Sequence, residues 1–345
     1  MGRPAWERRP SGGRRRAEAR GASGEERRLD VRIFTALIVA LAFTAVSIAP
    51  ARAIVVNPNA IDRPDAKGDQ VVFYYDVRAS FTTFVNLHND GGSDVGVTVL
   101  FYGRTFSSPF THTFSLDAGA SRIIDVGALK AAEPGLPEDF GVAIATAVDN
   151  HGKAIVTRAL SGNFTVANLQ VHSAWGAPGA ARSAINAPQP LALSDGAAEP
   201  ALGTVIDGTT VLLPPIQPTN VHLAVYYDPA TLEPPSLGGN QLIFVNFQDV
   251  PGEVYSAQVA VTTWFIDVTR GNGDFIGPVD GFVASGVTVT DVASVAGSAV
   301  NGASGSMTFN TLPSADPVNR LVFFTETLGT FATGYLLPPT VPSIL

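Results

Sequence analysis

Hydrophobic and polar residues alternate with a period of two along most of the chain after residue 71. The segments 95–102, 110–117 and 140–148 show this alternation, and clusters of Asn, Asp, Gly and Pro separate them. A period of two is typical of a β-strand, and such clusters are typical of turns. Since half-buried strands need a second sheet over their apolar face, the pattern predicts an all-β protein made of antiparallel β-sandwiches. The one helical segment predicted in this region is 126–132, with one or two turns.

The second half of the chain echoes the first. Residues 74–76 (Tyr-Tyr-Asp) and 84–86 (Phe-Val-Asn) recur as 226–228 and 244–246, which predicts two related immunoglobulin-like sandwich domains in tandem, produced by duplication. Ala, Pro, Gly and Ser dominate residues 177–203, a composition typical of a linker. The predicted organisation is a leader with signal peptide at 1–53, a strap at 54–70, sandwich domain 1 at 71–176, a Pro/Ala-rich linker at 177–203 and sandwich domain 2 at 204–345.

The first 53 residues differ from the rest in charge and hydropathy. They contain eleven arginines and no lysine, and an uncharged apolar run occupies 33–48. Small residues, Ala51 and Ala53, stand at the −3 and −1 positions of a cut after Ala53. A basic flank, an apolar run and an A-x-A site predict a cleaved secretory signal peptide. The alternative is a retained membrane anchor, but sixteen residues fall short of the roughly 20 that span a bilayer.

The remaining chain is acidic and contains no cysteine. Residues 54–345 carry 11 basic and 25 acidic residues, a formal net charge of −14. Such a charge argues against nucleic acid or an anionic membrane as a partner. The absence of cysteine excludes disulfides, thiolate metal sites and a cysteine nucleophile.

The stretch 72–126 carries a recognisable run of strand motifs. It contains an aromatic strand ending near an acid, Thr-Phe-Val-Asn at 83–86, Phe-Ser-Leu at 114–116, Ala-Gly-Ala-Ser at 118–121 and Ile-Ile-Asp-Val at 123–126. This run resembles immunoglobulin-like β-sandwich modules of secreted bacterial proteins of unassigned activity, and a looser match follows at 221–268. The resemblance implies a sandwich fold and an extracellular or surface location, and it implies no catalytic residue.

The five histidines offer no compact catalytic or metal motif. None of them forms H-x-H or H-x-x-x-H, and the chain has no G-x-S-x-G nucleophile elbow. A serine hydrolase would therefore need a site assembled from dispersed residues. His112 falls on the apolar face of its strand, where a hydrogen-bonded core histidine is expected rather than a metal ligand. The histidines are His88, His112, His151, His172 and His222.

One loop offers oxygen ligands for a cation. Asp267, Asn272 and Asp274 provide carboxylate and amide oxygens of the kind that calcium binds. The spacing is not that of an EF-hand, and Arg270 lies between the candidates. A Gly-rich hairpin tip explains the same residues and is the preferred interpretation.

Trp175 and Trp264 are the two tryptophans after the leader, and Tyr102, Tyr226 and Tyr255 could extend an aromatic surface. Aromatic faces stack on sugars, so these residues are candidates for glycan binding. Because they fall within alternating strands, core packing is the preferred interpretation.

These observations predict an exported, non-enzymatic structural or adhesive surface protein, located in the periplasm, at the cell surface or outside the cell. The predicted partner is a cell-surface protein or a polysaccharide. The sequence assigns no catalytic or cofactor-binding residue, and calcium is the one cofactor left open. The alternatives are an extracellular glycan- or calcium-binding module and an exported hydrolase with a dispersed site.

Overall fold

The computed structural model describes residues 67–137, 139–182, 185–186, 203–206, 209–212, 220–231, 240–250, 256–300, 302–312, 318–328 and 331–337. The predicted signal peptide, its cleavage site and most of the strap at 54–70 lie outside these residues. Several antiparallel sheets form the described part of the chain, which confirms the all-β class and the β-sandwich architecture.

The first half of the chain forms two sheets that face each other. Its strands are β1 Gln70–Asp76, β2 Phe81–Asn89, β3 Val95–Gly103, β4 Phe110–Leu116, β5 Ser121–Asp125, β6 Phe140–Val148, β7 Leu160–Asn168, β8 Ser173–Pro178 and β9 Ala180–Arg182. The order β4-β3-β6-β1-β9 defines inner sheet 1, and the order β5-β2-β7-β8 defines outer sheet 1.

The second half forms another pair of sheets. Its strands are β13 Asn220–Tyr226, β14 Gln241–Asp249, β15 Ala257–Val259, β16 Val261–Arg270, β17 Phe275–Ser285, β18 Val287–Asp291, β19 Gly305–Thr311, β20 Asn319–Leu328 and β21 Phe331–Leu336. The order β15-β14-β20-β21, with β18 also paired to β14, defines inner sheet 2. The order β13-β19-β16-β17 defines outer sheet 2.

The two sandwiches share one strand order. The series β4-β3-β6-β1 corresponds to β17-β16-β19-β13, and β5-β2-β7-β8 corresponds to β18-β14-β20-β21. The echoed Phe-Val-Asn tripeptides lie in the equivalent strands β2 and β14, but their side chains point opposite ways. Val85 belongs to the core between the first two sheets, whereas Val245 faces the first sandwich. A one-residue shift in register reverses every side chain in this manner.

The inner sheets are buried on both faces. In β1, the consecutive residues Val71, Val72, Phe73 and Tyr74 are all buried. The Tyr74 ring contacts both Trp175 of outer sheet 1, at 6.0 Å, and Phe323 of inner sheet 2, at 6.5 Å. In inner sheet 2, Ile243 and Phe323 join the core of the first sandwich, while Leu242, Phe244 and Phe324 join the core against outer sheet 2. Inner sheet 2 therefore contributes side chains to both cores, and its strand β21 also contacts β8 of outer sheet 1.

Direct contacts join the two halves across the inner sheets. The Ala257 N–H donates to Tyr102 Oη at 3.0 Å, and the Val287 N–H donates to the Arg104 carbonyl at 3.0 Å. The rings of Phe106 and Phe247 stack with centroids 5.4 Å apart. The halves thus share buried apolar surface, which is the main source of stability in a β-sandwich core.

The range predicted as a linker, 177–203, contains strand structure at both ends. β9 pairs with β1 and so extends inner sheet 1 as far as Arg182. A small separate sheet of order β10-β12-β11 consists of the strands β10 Ile185–Asn186, β11 Gly203–Ile206 and β12 Thr209–Leu212. The domain boundaries themselves stay a prediction.

Two short helices follow equivalent strands. The predicted helix at 126–132 is confirmed as α1 Val126–Ala132, whose N-cap Asp125 accepts a hydrogen bond from the Ala128 N–H. The second, α2 Val292–Ala296, is capped in the same way by Asp291 and escaped prediction because five residues are too few to show a period. Within the described residues, no helix has the length and apolar character that a membrane span requires.

Candidate functional site

A cluster of polar side chains lies on the solvent-facing side of outer sheet 1. We call it the His88 cluster, and its members are Lys67, His88, Asp90, Ser121 and Ser161. The strand register explains how it forms, because Ser121 of β5 and Ser161 of β7 are the direct cross-strand neighbours of His88 in β2. Directly opposed residues on neighbouring strands share one face of the sheet. Asp90 follows β2 immediately and turns back toward the ring.

The hydrogen bonds of the His88 cluster run in one chain. His88 Nδ1 lies 2.8 Å from Ser121 Oγ, and His88 Nε2 lies 3.2 Å from Asp90 Oδ1. A carboxylate only accepts, so Nε2 carries the proton that faces Asp90. In the neutral ring, Nδ1 is then free to accept the hydroxyl proton of Ser121. This is the order of nucleophile, base and carboxylate found in serine hydrolases.

The carboxylate of the cluster is held in its charged form. Partial burial alone would raise the pKa of Asp90. The hydrogen bond from Ser161 Oγ, at 2.7 Å, the charge of His88 when its ring is protonated and the charge of Lys67 outweigh that effect and hold the pKa of Asp90 below its usual range. Lys67 Nζ lies 3.5 Å from Asp90 Oδ1. An ionised Asp90 can therefore stabilise a positive charge that develops on His88 during proton transfer.

The structure brings together only two of the three candidate calcium ligands. Asn272 and Asp274 lie at the tip of the β16–β17 hairpin, where Asn272 Nδ2 donates to Asp274 Oδ2 at 2.8 Å. Asp267 lies back within β16, where its Oδ2 accepts from Asn310 Nδ2 at 2.9 Å. Gly273 has φ +91°, as a tight hairpin tip requires. In the part of the chain that the structure describes, no three His, Asp or Glu side chains form a metal-binding group.

Both candidate tryptophans lie in hydrophobic cores. Trp175 is 7% exposed, stacks on Tyr74 at 6.0 Å and meets Phe164 edge-on. Trp264 is fully buried, with its ring centroid 5.5 Å from that of Phe244. Sugar stacking needs an exposed ring face, which neither indole has in this structure. Tyr102 and Tyr226 are buried as well, and Tyr255 lies outside the described residues.

The other histidines are dispersed. His112 is half-buried beside Phe114, and burial, aided by the charge of Arg122, lowers its pKa. Burial likewise lowers the pKa of His222, whose Nδ1 lies 3.1 Å from Thr308 Oγ1. His151 lies in the turn after β6, where its N–H donates to Asp149 Oδ1.

The sequence identified His88 only as one of five histidines without a compact motif, and gave no indication of its partners. Ser121 and Ser161 are 33 and 73 positions away, and only the strand register brings them to the ring. The nearest sequence clue was Asp90, two positions after His88 and therefore on the same face if β2 continued.

Comparison with known proteins identifies no family. No family model matches the chain, and no curated protein matches it. One solved structure, described as "Crystal structure of PBSX exported protein XepA", is 9% identical, with a TM-score of 0.18 over 74% of this chain and 81% of that one. Another, described as "Crystal Structure of Squid Arrestin", is 10% identical, with a TM-score of 0.10 over 81% and 98%. Likenesses this weak carry no weight for fold or function. The resemblance to immunoglobulin-like modules is supported only at the level of a β-rich fold.

Proposed function

We propose that the chain is an exported, non-enzymatic surface protein with an adhesive or structural role, built from two sandwiches related by duplication. The apolar run at 33–48 and the small residues at 51 and 53 support export. The common strand order of the two halves supports duplication. The interlocked inner sheets support a structural role, because they make the described halves one body with broad outer faces.

An exposed apolar strip on outer sheet 2 carries the adhesive part of this proposal. Val261 is 62% exposed, Val283 is 59% exposed and Leu312 is 68% exposed. Val283 of β17 is the direct cross-strand partner of Thr263. On the other side of β16, Thr311 of β19 is the partner of Trp264, so the next residue, Leu312, lies opposite Thr263. Val283 and Leu312 therefore flank Thr263 on one face of the sheet. We call this set, with Val261, the Thr263 strip.

Contiguous exposed apolar side chains favour contact with another protein. Single apolar residues on a surface are ordinary, but a contiguous patch marks an interaction site. The Thr263 strip lacks an exposed tryptophan or tyrosine, which a polysaccharide site would need for stacking. Of the two predicted partners, a cell-surface protein therefore fits this face better than a polysaccharide.

Co-sedimentation of the purified protein with envelopes of the producing cells tests this function. The wild-type protein is expected to co-sediment, and the triple variant Val261→Thr, Val283→Thr, Leu312→Ser is expected to lose about tenfold in affinity, roughly 1.4 kcal/mol. Val225→Thr, an exposed valine in β13, is the matched control and should bind like wild type. Equal binding by all three proteins, or no binding by any, would contradict the adhesive role.

Export is tested separately by fractionating the producing cells. The protein is expected outside the cytoplasm with a mature amino terminus at Ile54. Replacement of Ala51 and Ala53 by phenylalanine should leave the leader attached, because the peptidase accepts only small residues there. A cytoplasmic protein that keeps residues 33–53 would contradict export.

One observation favours a second candidate function, an exported ester hydrolase. Ser121, His88 and Asp90 are linked in the order that a serine nucleophile requires. In such a reaction Ser121 Oγ would attack an ester carbonyl carbon while its proton passes to His88 Nδ1. That proton would then go to the departing alcohol oxygen, and water would release the acyl group from Ser121 by the same steps.

A fluorophosphonate probe distinguishes this candidate from the first. A hydrolase would be labelled at Ser121, as identified by mass spectrometry, and His88→Ala would abolish the labelling. Ser115→Ala, at an exposed serine in β4, is the control and should leave labelling unchanged. If Ser121 is not labelled, the hydrolase candidate fails and the non-enzymatic proposal stands.

A further inference from the structure

One arginine in the core of the second sandwich is buried without a counter-charge. Arg320, near the start of β20, is 3% exposed. Its Nε donates to Thr262 Oγ1 of the facing sheet at 3.4 Å. Among the residues that the structure describes, no carboxylate forms an ion pair with it. Burial without an anion lowers the pKa of the Arg320 guanidinium.

The neighbours of Arg320 are polar and incompletely bonded. Asn246 is its direct cross-strand partner in inner sheet 2, and it is fully buried, with no hydrogen-bond partner for Oδ1. On the facing strand β16, Trp264 comes two residues after Thr262 and points the same way. The Nε1–H group of Trp264 is also buried without a partner. These four residues lie at one end of the space between inner sheet 2 and outer sheet 2.

The other buried arginine in the described chain shows what such a group normally requires. Arg182 is 3% exposed, and its guanidinium meets the Asp249 carboxylate at 2.6 Å and Gln70 Oε1 at 2.7 Å. A buried charge is tolerated when an opposite charge and hydrogen bonds replace the water it has lost. Arg320 has one long hydrogen bond in place of that set.

The missing partner is an acceptor with negative charge. The guanidinium, the Trp264 N–H and the Thr262 hydroxyl are all donors, and Asn246 Nδ2, which makes only a long hydrogen bond of 3.5 Å to the Gly286 carbonyl, is a further donor. Buried donors beside a buried cation match a carboxylate or an oxoanion, which accept several charge-assisted hydrogen bonds at once.

We propose that Arg320, Asn246, Thr262 and Trp264 form a binding site for a small anion, a carboxylate or an inorganic oxoanion, inside the second sandwich. The site lies on the opposite face of β16 from the Thr263 strip and in the other sandwich from the His88 cluster, and it is independent of both functions proposed above. The bound anion stabilises the folded state, because a ligand that binds only the folded protein raises its apparent stability.

Thermal unfolding in sodium phosphate and in sodium acetate tests this site. Each anion is titrated against sodium chloride at constant ionic strength. The melting temperature of the wild type should rise by about 5 °C and then saturate in at least one series. A response to acetate alone identifies a carboxylate site, and a response to phosphate alone identifies an oxoanion site.

Two arginine variants separate specific binding from a general salt effect. Arg320→Gln should lose the saturating rise, whereas Arg122→Gln, at an exposed arginine in β5, should keep it. If Arg320→Gln does not fold, Thr262→Val provides the test and should weaken the response at least threefold. Parallel curves for the wild type and these variants in both anions would overturn the proposal, because Arg320 would then be satisfied within the chain.

Discussion

Arg182 and Asp249 form a two-pronged ion pair that joins the two halves of the chain. Arg182 Nη2 lies 2.6 Å from Asp249 Oδ2, and Nη1 lies 3.0 Å from Oδ1. Arg182 belongs to β9 of inner sheet 1, and Asp249 ends β14 of inner sheet 2. The guanidinium also lies 5.9 Å from the centre of the Phe247 ring. The pair thus joins one sandwich to the other through opposite charges and through two hydrogen bonds of defined geometry.

Removal of the Asp249 carboxylate should destabilise the whole protein. Asp249→Ala leaves the buried Arg182 without its anion, and we expect a loss of about 3 kcal/mol in the free energy of unfolding. Urea denaturation followed by fluorescence measures this loss. Asp139→Ala breaks the exposed pair with Lys130 and should cost less than about 1 kcal/mol. Equal effects of the two substitutions would show that Arg182 does not depend on Asp249.

A methyl group at Gly334 should force the two halves apart. A Cβ built at Gly334 would lie 2.3 Å from Trp175 Cε3, across the contact between β21 and β8. Gly334→Ala should therefore cost about 1–3 kcal/mol through overpacking and shift the emission of Trp175. A Cβ at Gly92 meets nothing within 4 Å, so Gly92→Ala is the control and should change stability little. A neutral Gly334→Ala would mean that this contact is loose.

The positions of the strands were easier to predict from the sequence than the sheets that cover each of their faces. Period-two alternation located the strands of 95–102, 110–117 and 140–148, but only β4 has alternating burial, since β3 and β6 of inner sheet 1 are buried along almost their whole length. It did not reveal that Tyr74 and Phe247 would be covered by the other sandwich, since alternation reports one buried face. The continuous apolar run of β1 was the available clue, because strands buried on both faces lose the alternation.

Glu326 should make the free energy of unfolding decrease as the pH rises from the acidic range toward neutrality. Burial raises the pKa of Glu326 although the Tyr227 N–H donates to its Oε1 at 3.0 Å. The folded state therefore holds the proton more tightly than the unfolded chain. The resulting stabilisation is complete below about pH 4.3, the unfolded value, and is lost as pH rises through the folded pKa.

Glu326→Gln tests this directly, since the amide mimics the protonated acid and can still accept from Tyr227. The variant should be more stable than the wild type at pH 7, and the difference should vanish at pH 4. Urea midpoints at several pH values measure it. A variant that is less stable at pH 7 would show that the charged carboxylate is favoured.

Tyr102→Phe should lower the free energy of unfolding, because the Tyr102 hydroxyl joins the two halves of the chain. The change removes the acceptor of the Ala257 N–H and leaves a buried donor unbonded. We expect a loss of about 1–3 kcal/mol in the free energy of unfolding, measured by urea denaturation. Tyr335→Phe, at an exposed tyrosine, should have almost no effect. A loss no larger than that of Tyr335→Phe would indicate that water satisfies the Ala257 N–H.

The candidate site was less predictable than the fold because it depends on register. His88, Asp90 and Ser121 are each unremarkable in the sequence, and nothing local indicates that β5 pairs with β2. The tryptophans have the same difficulty. The strand pattern predicts that one face is buried, but it does not indicate whether Trp175 and Trp264 lie on that face. Arg320 reads as a surface residue in the sequence, because arginines are rarely buried without a partner.

Cleavage between the two halves tests most directly whether they share one core. A specific protease site inserted between residues 187 and 202 allows the chain to be cut after folding. The two fragments are expected to co-elute in size-exclusion chromatography at the volume of the uncut protein and to separate only in denaturant. Fragments that elute separately as two folded halves in native buffer would contradict the shared core.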